Sequence, residues 1–543
     1  MNGADYDVAI AGGGLAGLSV ARQLTLEYPN LRVLVAEKRQ HPVAEAAFKV
    51  GESSVEIGAH FFQTVLGLNE HLRADQLEKL GLRYFFTHAD NRDIRRRVEF
   101  GPAQFPPVPS FQLDRGRFEN FLLRLNRDSG IEVLDGAAVR DVQLGRDLHS
   151  LTVSTAAGQR RVTTRWLIDA SGRAGLLRRQ LGLTRPVRHS ANACWFRIQA
   201  RLRVDDWCSD ADWSSMVPTG ERWMSTNHLM GRGYWVWLIP LGSGSTSVGI
   251  VADEPLHPFT RINRMDRALE WLRAYEPQCA EVVEQHKDQI QDFLALKHYA
   301  FGCSQVFSQD RWMLIGEAGV FTDPFYSPGS DFIAMGSEFI TDVIGRDMGG
   351  EAIGDRVERY NSLYLKLFES FLRLYDGQYA LMGNAQVMTA KAAWDNGCYW
   401  GITALLYFQR RFRQPAFLAS IEPLMRRFTV LHARMQTCFT AWDVADAAVY
   451  SDRYASVLDV EFLRVLQRSL GDGPMDDEAL RQRLEDNLAL LHRFALTLQS
   501  MAAVHGPDLG RFVTAHGGEQ PVDLDPICLT PLTSAAAQAV RTL

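Results

Sequence analysis

A chain of 543 residues, 46% hydrophobic and 22% charged, has the composition of a globular protein and is too long for one small core. Its net charge of −6 gives no global attraction for nucleic acid, and no run of about eighteen uninterrupted apolar residues predicts a membrane span. The seven cysteines (Cys194, Cys208, Cys279, Cys303, Cys398, Cys438 and Cys528) are dispersed without a C-x-x-C pair, and the histidines lack ligand spacing. That pattern points to reduced thiols in a reducing compartment and to no metal. Asp5 and Asp7 precede the apolar start where a signal peptide carries basic residues, so a cytoplasmic location is expected.

The first element is Tyr6 to Ala11, an apolar run that reads as a buried parallel strand. Gly12, Gly14 and Gly17 follow with G-x-G-x-x-G spacing. The first glycine permits a tight turn, the second lets backbone approach a pyrophosphate, and the third lets helix pack on strand. The helix's positive end then faces the phosphates. A second apolar run, Leu31 to Ala36, ends in Glu37, where a carboxylate can accept from a ribose hydroxyl. A dinucleotide is expected here.

Further along come Phe48 to Ser54, a helical Ile57 to Leu68, and a strand beginning near Leu82. The charged stretch Arg92 to Glu99 and the proline-rich Pro102 to Pro109 read as an exposed excursion. Phe118 to Leu125 is helical, and alternation at Ile131 to Leu134 and Leu151 to Thr155 predicts a small meander. Trp166 to Ala170 is another apolar strand. Strand signals dominate from Ala193 to Val251, strongest at Tyr234 to Pro240, as a second sheet with an aromatic face. A third apolar run, Trp312 to Ile315, leads to Gly316-Glu317-Ala318 and then Asp323-Pro324-Phe325-Tyr326-Ser327-Pro328-Gly329. From Ser337 the pattern turns helical, with amphipathic segments through Leu363 to Leu381 and Ala404 to Met435. The tail after Gly506 is weakly patterned.

In this order Gly12–Gly17, Gly51-Glu52-Ser53, Leu113-Asp114-Arg115, Asp169-Ala170-Ser171-Gly172, Trp235-x-Trp237-x-Ile239-Pro240 and Gly316 through Gly329 resemble the flavin-dependent halogenase (tryptophan-halogenase-like) family within the FAD monooxygenases. The resemblance covers roughly residues 5 to 345, and its W-x-W-x-I-P piece is the family signature. It implies an α/β fold. An FAD-binding Rossmann-like (glutathione-reductase-like) domain would span 1–185 and 300–345, with the meander near 130–165. A substrate-side β-sheet domain would occupy 186–299 and a helical C-terminal region 346–543.

It further implies a two-component enzyme, monomer or homodimer. A separate flavin reductase supplies reduced FAD, oxygen is activated on it, and bound chloride or bromide becomes hypohalous acid that reaches a lysine beside the substrate. The expected substrate is an electron-rich aromatic (phenol, pyrrole or indole), free or tethered to an acyl carrier. The FAD contacts fall on Gly12, Gly14, Leu15, Ala16, Gly17, Glu37, Lys38, Gly51, Glu52, Ser53, Arg115, Asp169, Gly172, Gly316, Glu317, Asp323 and Gly329. Ser327 and Gly329 fall at the halide position, and Trp235, Trp237 and Pro240 on the substrate side.

Lys79, ahead of a glycine and an aromatic strand, is the catalytic candidate. Desolvated in a tunnel, it could form a chloramine or hydrogen-bond hypohalous acid; ending a helix, it would only complement the dipole. Ser171 stands where single-component hydroxylases carry an aspartate linked to NADPH use. Other residues depart from the family pattern. Pro328 has no N–H to offer halide, Tyr326 replaces the glutamate of free-tryptophan halogenases, Glu56 replaces a proline, and Glu317 an aspartate. An alternative is therefore a monooxygenase or oxidase on the same scaffold that has lost halide binding; a flavin-holding scaffold or sensor is a third. The clusters Arg95-Arg96-Arg97, Arg410-Arg411-x-Arg413 and Arg426-Arg427 are either carrier-docking or solvated faces. Trp394, Tyr399, Trp400, Tyr407 and Phe408 are either pocket lining or core.

Overall fold

The computed structural model describes residues 3–47, 49–514 and 521–522. Cys528, Phe48 and most of the weakly patterned tail lie outside them. The chain forms two compact units. One holds 1–76, 113–188 and 299–372; the other holds 77–112, 189–298 and 373–543. Against the expected three-part division, residues 77–112 and the later C-terminal helices group with the inserted sheet. Helix Gly354–Leu372 groups instead with the nucleotide unit.

In the first unit, β1 (Tyr6–Ala11) lies between β2 (Val33–Glu37) and the long strand Gly158–Asp169, parallel to both. All three are buried where they meet, which is why they read as continuous apolar runs instead of alternating ones. Glu132–Asp135 extends the sheet beside β2, and His149–Thr155 and Ala138–Gln143 form the meander on the other side. Trp312–Leu314 pairs with the last residues of Gly158–Asp169, with Leu167 opposite Trp312. Helix α1 (Leu15–Glu27) packs on helix Gly329–Met348, and Gln23 bridges them, accepting from Ser337 Oγ (2.7 Å) and donating to Glu338 Oε1 (3.0 Å). That second helix begins at Gly329, earlier than the periodicity predicts. It is buried on nearly all sides, so no polar face marks its start.

The second unit is built on an eight-stranded sheet in the order Leu294–Leu296, Ala191–Ile198, Thr246–Asp253, Tyr234–Pro240, Thr226–Gly231, Leu82–Phe86, Glu99–Phe100 and Tyr454–Ala455. One face carries Phe85, Phe196, Leu229, Val236, Leu238, Val248 and Ile250 against Trp271 and Leu272 of helix Met265–Tyr275. The opposite face holds the alternate residues, as a period of two requires.

The Arg92 to Glu99 stretch is not the exposed excursion its charge suggests. Arg97 is buried on Glu276 (Nη1–Oε2 2.5 Å), and Glu99 is buried between Arg83 and Arg222. Each charge is closed by an opposite charge from distant sequence, which alone makes its burial affordable. The docking reading of Arg95-Arg96-Arg97 weakens accordingly, since Arg95 and Arg96 pair with Asp93, Asp210 and Asp452. The two long amphipathic segments are also broken. Helix Gly354–Leu372 ends before Leu381. Ala404 to Met435 splits into Leu405–Phe408, Pro415–Ser420 and the start of Glu422–Ala445, with Pro415 and Pro423 at helix starts. Ile57 to Leu68 holds a short α-helix, Glu56–His60, followed by a π turn, Phe61–Val65. Trp394, Trp400 and Tyr407 are buried. The six described cysteines are unpaired, and no helix among the described residues is long and apolar enough to cross a membrane.

Candidate active site

The nucleotide cradle is defined by where no carbon could be added. Gly12 has φ of +115°, and a Cβ on it would stand 2.3 Å from the Ala170 carbonyl oxygen. A Cβ on Gly17 would stand 1.9 Å from the Gly12 carbonyl oxygen. Around Gly14, by contrast, nothing lies within 4 Å of such a carbon. Two glycines therefore close the turn on itself and the middle one opens it outward. The N–H groups of Leu15, Ala16 and Gly17 start helix α1 there, with no carbonyl one turn back to bond them. The open turn and its free N–H groups have the shape and donors a diphosphate would need, and the residues fit a flavin adenine dinucleotide. Glu37, at the end of β2, is buried; its carboxylate accepts from Gly13 N (2.6 Å) and Arg39 N (2.8 Å), while Lys38 is exposed.

Two further turns close on the first. Ala170 N donates to Ala11 O (2.9 Å), and Ile315 N to Asp169 O (3.0 Å). Gly316, at φ +59°, brings its backbone to Ala16: a Cβ there would be 3.1 Å from the alanine's. The Asp169 carboxylate is fully buried and serves its own turn, accepting from Ser171 N (2.9 Å) and Leu177 N (2.7 Å); Gly172 follows at φ +61°. Burial raises the Asp169 pKa above the usual carboxylate range. Glu317 lies 3.6 Å from Arg173, whose guanidinium also donates to Tyr299 O. Gly51-Glu52-Ser53 and Leu113-Asp114-Arg115 are brought together. Leu113 N donates to Glu52 O (2.6 Å), Arg115 Nη1 to Val50 O (2.6 Å), and Asp114 caps the helix Arg115–Asp128. Glu52 and Ser53 are buried and Gly51 is exposed at φ +87°.

After Gly316, Asp323 accepts from Phe325 N (2.9 Å) and from the Tyr299 hydroxyl (2.5 Å). Ser327 sits at φ +58°, and its N–H is bonded to Pro324 O (2.8 Å). Pro328 caps the helix that Gly329 opens, and Gly329 is exposed with open space on its Cβ side. In the segment that the resemblance assigns to halide, then, the Ser327 N–H is already bonded and Pro328 has none, while Gly329 opens the helix at the surface.

In the second unit, Lys79 follows the two-residue strand Leu77–Glu78 and lies beyond the end of helix Asn69–Asp75, so it does not complement a helix terminus. Its side chain is 1% exposed. The backbone around it is bonded at every step. Lys79 N donates to Ser110 O (2.8 Å), Leu80 N to Met224 O (3.1 Å), Ser225 Oγ to Leu80 O (2.7 Å), and Thr226 N to Gly81 O (3.1 Å). The sheet's second face carries one row in register: Trp195, Gly249, Trp237, His228 and Tyr84. Trp237 lies over Gly249, where a Cβ would be 2.2 Å from its ring, and donates to Ser247 Oγ (3.1 Å). Trp235 packs 5.7 Å from Trp237 and donates to the Tyr379 hydroxyl (3.0 Å); Pro240 ends the strand. Sequence reasoning missed Tyr299, Arg173 and Gly249. Arg173 directly follows the quoted Asp169-Ala170-Ser171-Gly172, but the partners of the other two are set by strand pairing and chain crossing, which leave no local signal.

The tryptophan halogenase family profile matches residues 89–382, and a profile for NAD(P)-binding Rossmann-like domains matches 10–100. Among curated relatives, the flavin-dependent halogenase chlA of Dictyostelium discoideum is 27% identical over 442 residues, covering 76% of this chain and 72% of its own. A 1H-pyrrole-2-carbonyl peptidyl-carrier-protein chlorinase of Pseudomonas fluorescens is 27% identical over 355 residues, covering 61% and 73%. Among solved structures, halogenase PltM in complex with phloroglucinol and FAD superposes with a TM-score of 0.64 at 16% identity, over 94% of this chain and 98% of that one. The halogenase CmlS superposes at 0.55 and 21%, over 98% and 76%. With a cradle that fits FAD and a family profile spanning more than half its length, this chain belongs to the tryptophan halogenase family of flavin-dependent oxidoreductases.

Proposed function

We propose that the protein is the halogenating half of a two-component system: a separate reductase delivers reduced FAD, and the enzyme uses oxygen and chloride or bromide to halogenate an electron-rich aromatic, free or carrier-tethered. Bound reduced flavin supplies the oxygen activation that converts halide to hypohalous acid. The chain's own residues do the rest. Gly12, Gly14 and Gly17 hold the diphosphate, and the Gly329 N–H offers the halide a donor. Lys79 Nζ attacks the halogen of hypohalous acid with its lone pair, and the acid's oxygen leaves as water with the amine's proton; the ring carbon then takes the halogen from the N-halogen lysine, and the proton it displaces returns to Nζ. The observation that carries this reading is Lys79 itself, buried on a segment whose backbone is tied down on both sides.

A relative acting on a pyrrolyl carrier protein supports the tethered option, and PltM with phloroglucinol the free phenol. Pro328 and the bonded Ser327 N–H favour a second reading, in which oxygen goes directly to the substrate and no halide binds. Reduced FAD, oxygen and bromide given with simple phenols decide between them: brominated product is expected. Hydroxylated product with no bromide dependence carries the second reading. Lys79→Ala should abolish bromination with flavin absorbance unchanged, and a variant that brominates normally removes the lysine from the mechanism.

A further inference from the structure

Lys49 stands two residues before Gly51, and nothing in the halogenase resemblance gives it a role. Its side chain keeps 16% of its surface, so solvent reaches it, and its Nζ faces Glu119 Oε2 on helix Arg115–Asp128. The same carboxylate is already claimed by Arg115, whose Nη2 donates to Glu119 Oε1 (2.7 Å) while its Nη1 donates to Val50 O (2.6 Å). Glu119 has no exposed surface. One buried carboxylate therefore serves two cations.

A third cation, the exposed Arg39 just after β2, acts on Lys49 as well, and so does Glu37 at the strand's end. The Glu37 carboxylate is spent on Gly13 N (2.6 Å) and Arg39 N (2.8 Å), which puts the lysine beside the turn that the cradle glycines make. His41 is the remaining titratable neighbour. Its Nδ1 donates to Asn120 Oδ1 (2.9 Å), and burial holds its pKa below the ordinary histidine value, so it is neutral above pH 7. Around Lys49, then, the charges of Lys49, Arg39 and Arg115 stand against those of Glu37 and Glu119. One positive charge is left over, next to a turn that fits a diphosphate.

We infer that Lys49 binds the flavin's diphosphate as an ammonium, and that FAD binding takes up a proton there. Burial, with repulsion from Arg115 and Arg39, pushes the pKa of Lys49 down to about 7 in the free site. A diphosphate brings negative charge beside Nζ, favours the protonated form and raises that pKa on binding. Affinity is then full below about pH 7, where Lys49 is charged before FAD arrives, and falls as pH rises, by up to about tenfold per unit. The inference rests on FAD binding and not on halogenation. Where the cofactor is exchanged at each turnover, as the two-component reading has it, this lysine sets how firmly it is held near neutral pH.

The test titrates the full chain with FAD from about pH 6 to 8.5, by quenching of flavin fluorescence and by calorimetry in buffers of unequal ionisation enthalpy. Wild type should bind FAD at least about tenfold more weakly at the alkaline end, and should take up more than about half a proton per FAD near pH 7.5. Lys49→Arg, charged throughout, should bind tightly at every pH with no uptake. Lys49→Met leaves Glu119 paired to Arg115; it should bind about tenfold more weakly than wild type at the acid end and show no pH dependence, with near-UV circular dichroism as the check on folding. ADP-ribose, which carries the diphosphate, should repeat the wild-type profile, whereas adenosine should bind alike at every pH. Wild-type affinity that does not change with pH overturns the proposal. So does uptake that persists in Lys49→Arg, or a Lys49→Met variant that binds FAD as wild type does. A pH profile shared by adenosine also overturns it, by placing the lysine at the sugar. None of these failures bears on bromination, so the halogenase reading stands or falls separately.

Discussion

At Gly17 one added carbon would stand 1.9 Å from the Gly12 carbonyl oxygen; at Gly249 it would stand 2.2 Å from the Trp237 ring. The two collisions are similar in distance and differ in kind. Gly17 meets backbone of its own turn, five residues away, in the turn proposed to carry the diphosphate. Gly249 meets a side chain from the neighbouring strand, and the vacancy at 249 exists to let an indole lie flat. The nucleotide unit works by leaving side chains out; the sheet unit works by packing large ones in. A site of the first kind is written in a dozen consecutive residues, whereas the second is written in the register between strands.

The strongest way to break this contrast is at the cradle. Gly17→Val must push on backbone and should abolish FAD binding, read as loss of the bound flavin absorbance. Gly14→Ala adds a carbon that meets no protein atom but stands where the diphosphate would approach, so it should leave the fold intact and weaken FAD binding, and full flavin loading in both variants would put the diphosphate elsewhere. Next comes pH, which probes the side-chain-built unit. His432 is buried and its Nδ1 accepts from Trp394 Nε1 (3.2 Å), so it must stay neutral; burial pushes its pKa down from 6.5 to about 4. The unfolded chain takes up this proton near pH 6.5 and the folded chain only near 4. Its contribution to stability is therefore intact above about 6.5 and lost as pH falls toward about 4, by roughly 3 kcal/mol. Denaturant midpoints of wild type and His432→Phe across that window should converge with acid; parallel curves would mean the ring is reached by water.

Gly249→Val should cost about 2 kcal/mol through overpacking against Trp237, with flavin absorbance retained, because only the second unit is disturbed. The mildest change returns the test to backbone chemistry. Pro328→Ala restores an N–H at the helix start without strain, since Pro328 has φ of −76°. One charge-assisted hydrogen bond of about 1.5 kcal/mol should lower the bromide concentration for half-maximal rate about tenfold. An unchanged bromide dependence would separate that amide from the halide.

The legibility of the chain follows the same division. β1, the Gly12–Gly17 turn and the strand ending in Glu37 were readable because they are contiguous or one βαβ unit apart. Lys79 was proposed from resemblance alone; nothing local distinguishes it, and the backbone of Lys79 and Leu80 is bonded to Ser110, Met224 and Ser225. Arg97 and Glu99 misled because charge predicts exposure until the opposite charge is known, and theirs come from Glu276, Arg83 and Arg222. The helix at Gly329 was placed late because a helix buried all round has no amphipathic period to detect.

The missing side chain at position 249 also has a bearing on descent. Two residues on adjacent strands, 237 and 249, share one fixed volume, so neither can change size alone. Homologues that carry alanine or valine at 249 are expected to carry a smaller ring at 237, and a Gly249→Ala lesion should be repaired by Trp237→Phe in the same molecule. Such compensation would make this pair a marker for which lineages keep the flat aromatic wall and which have traded it for another shape.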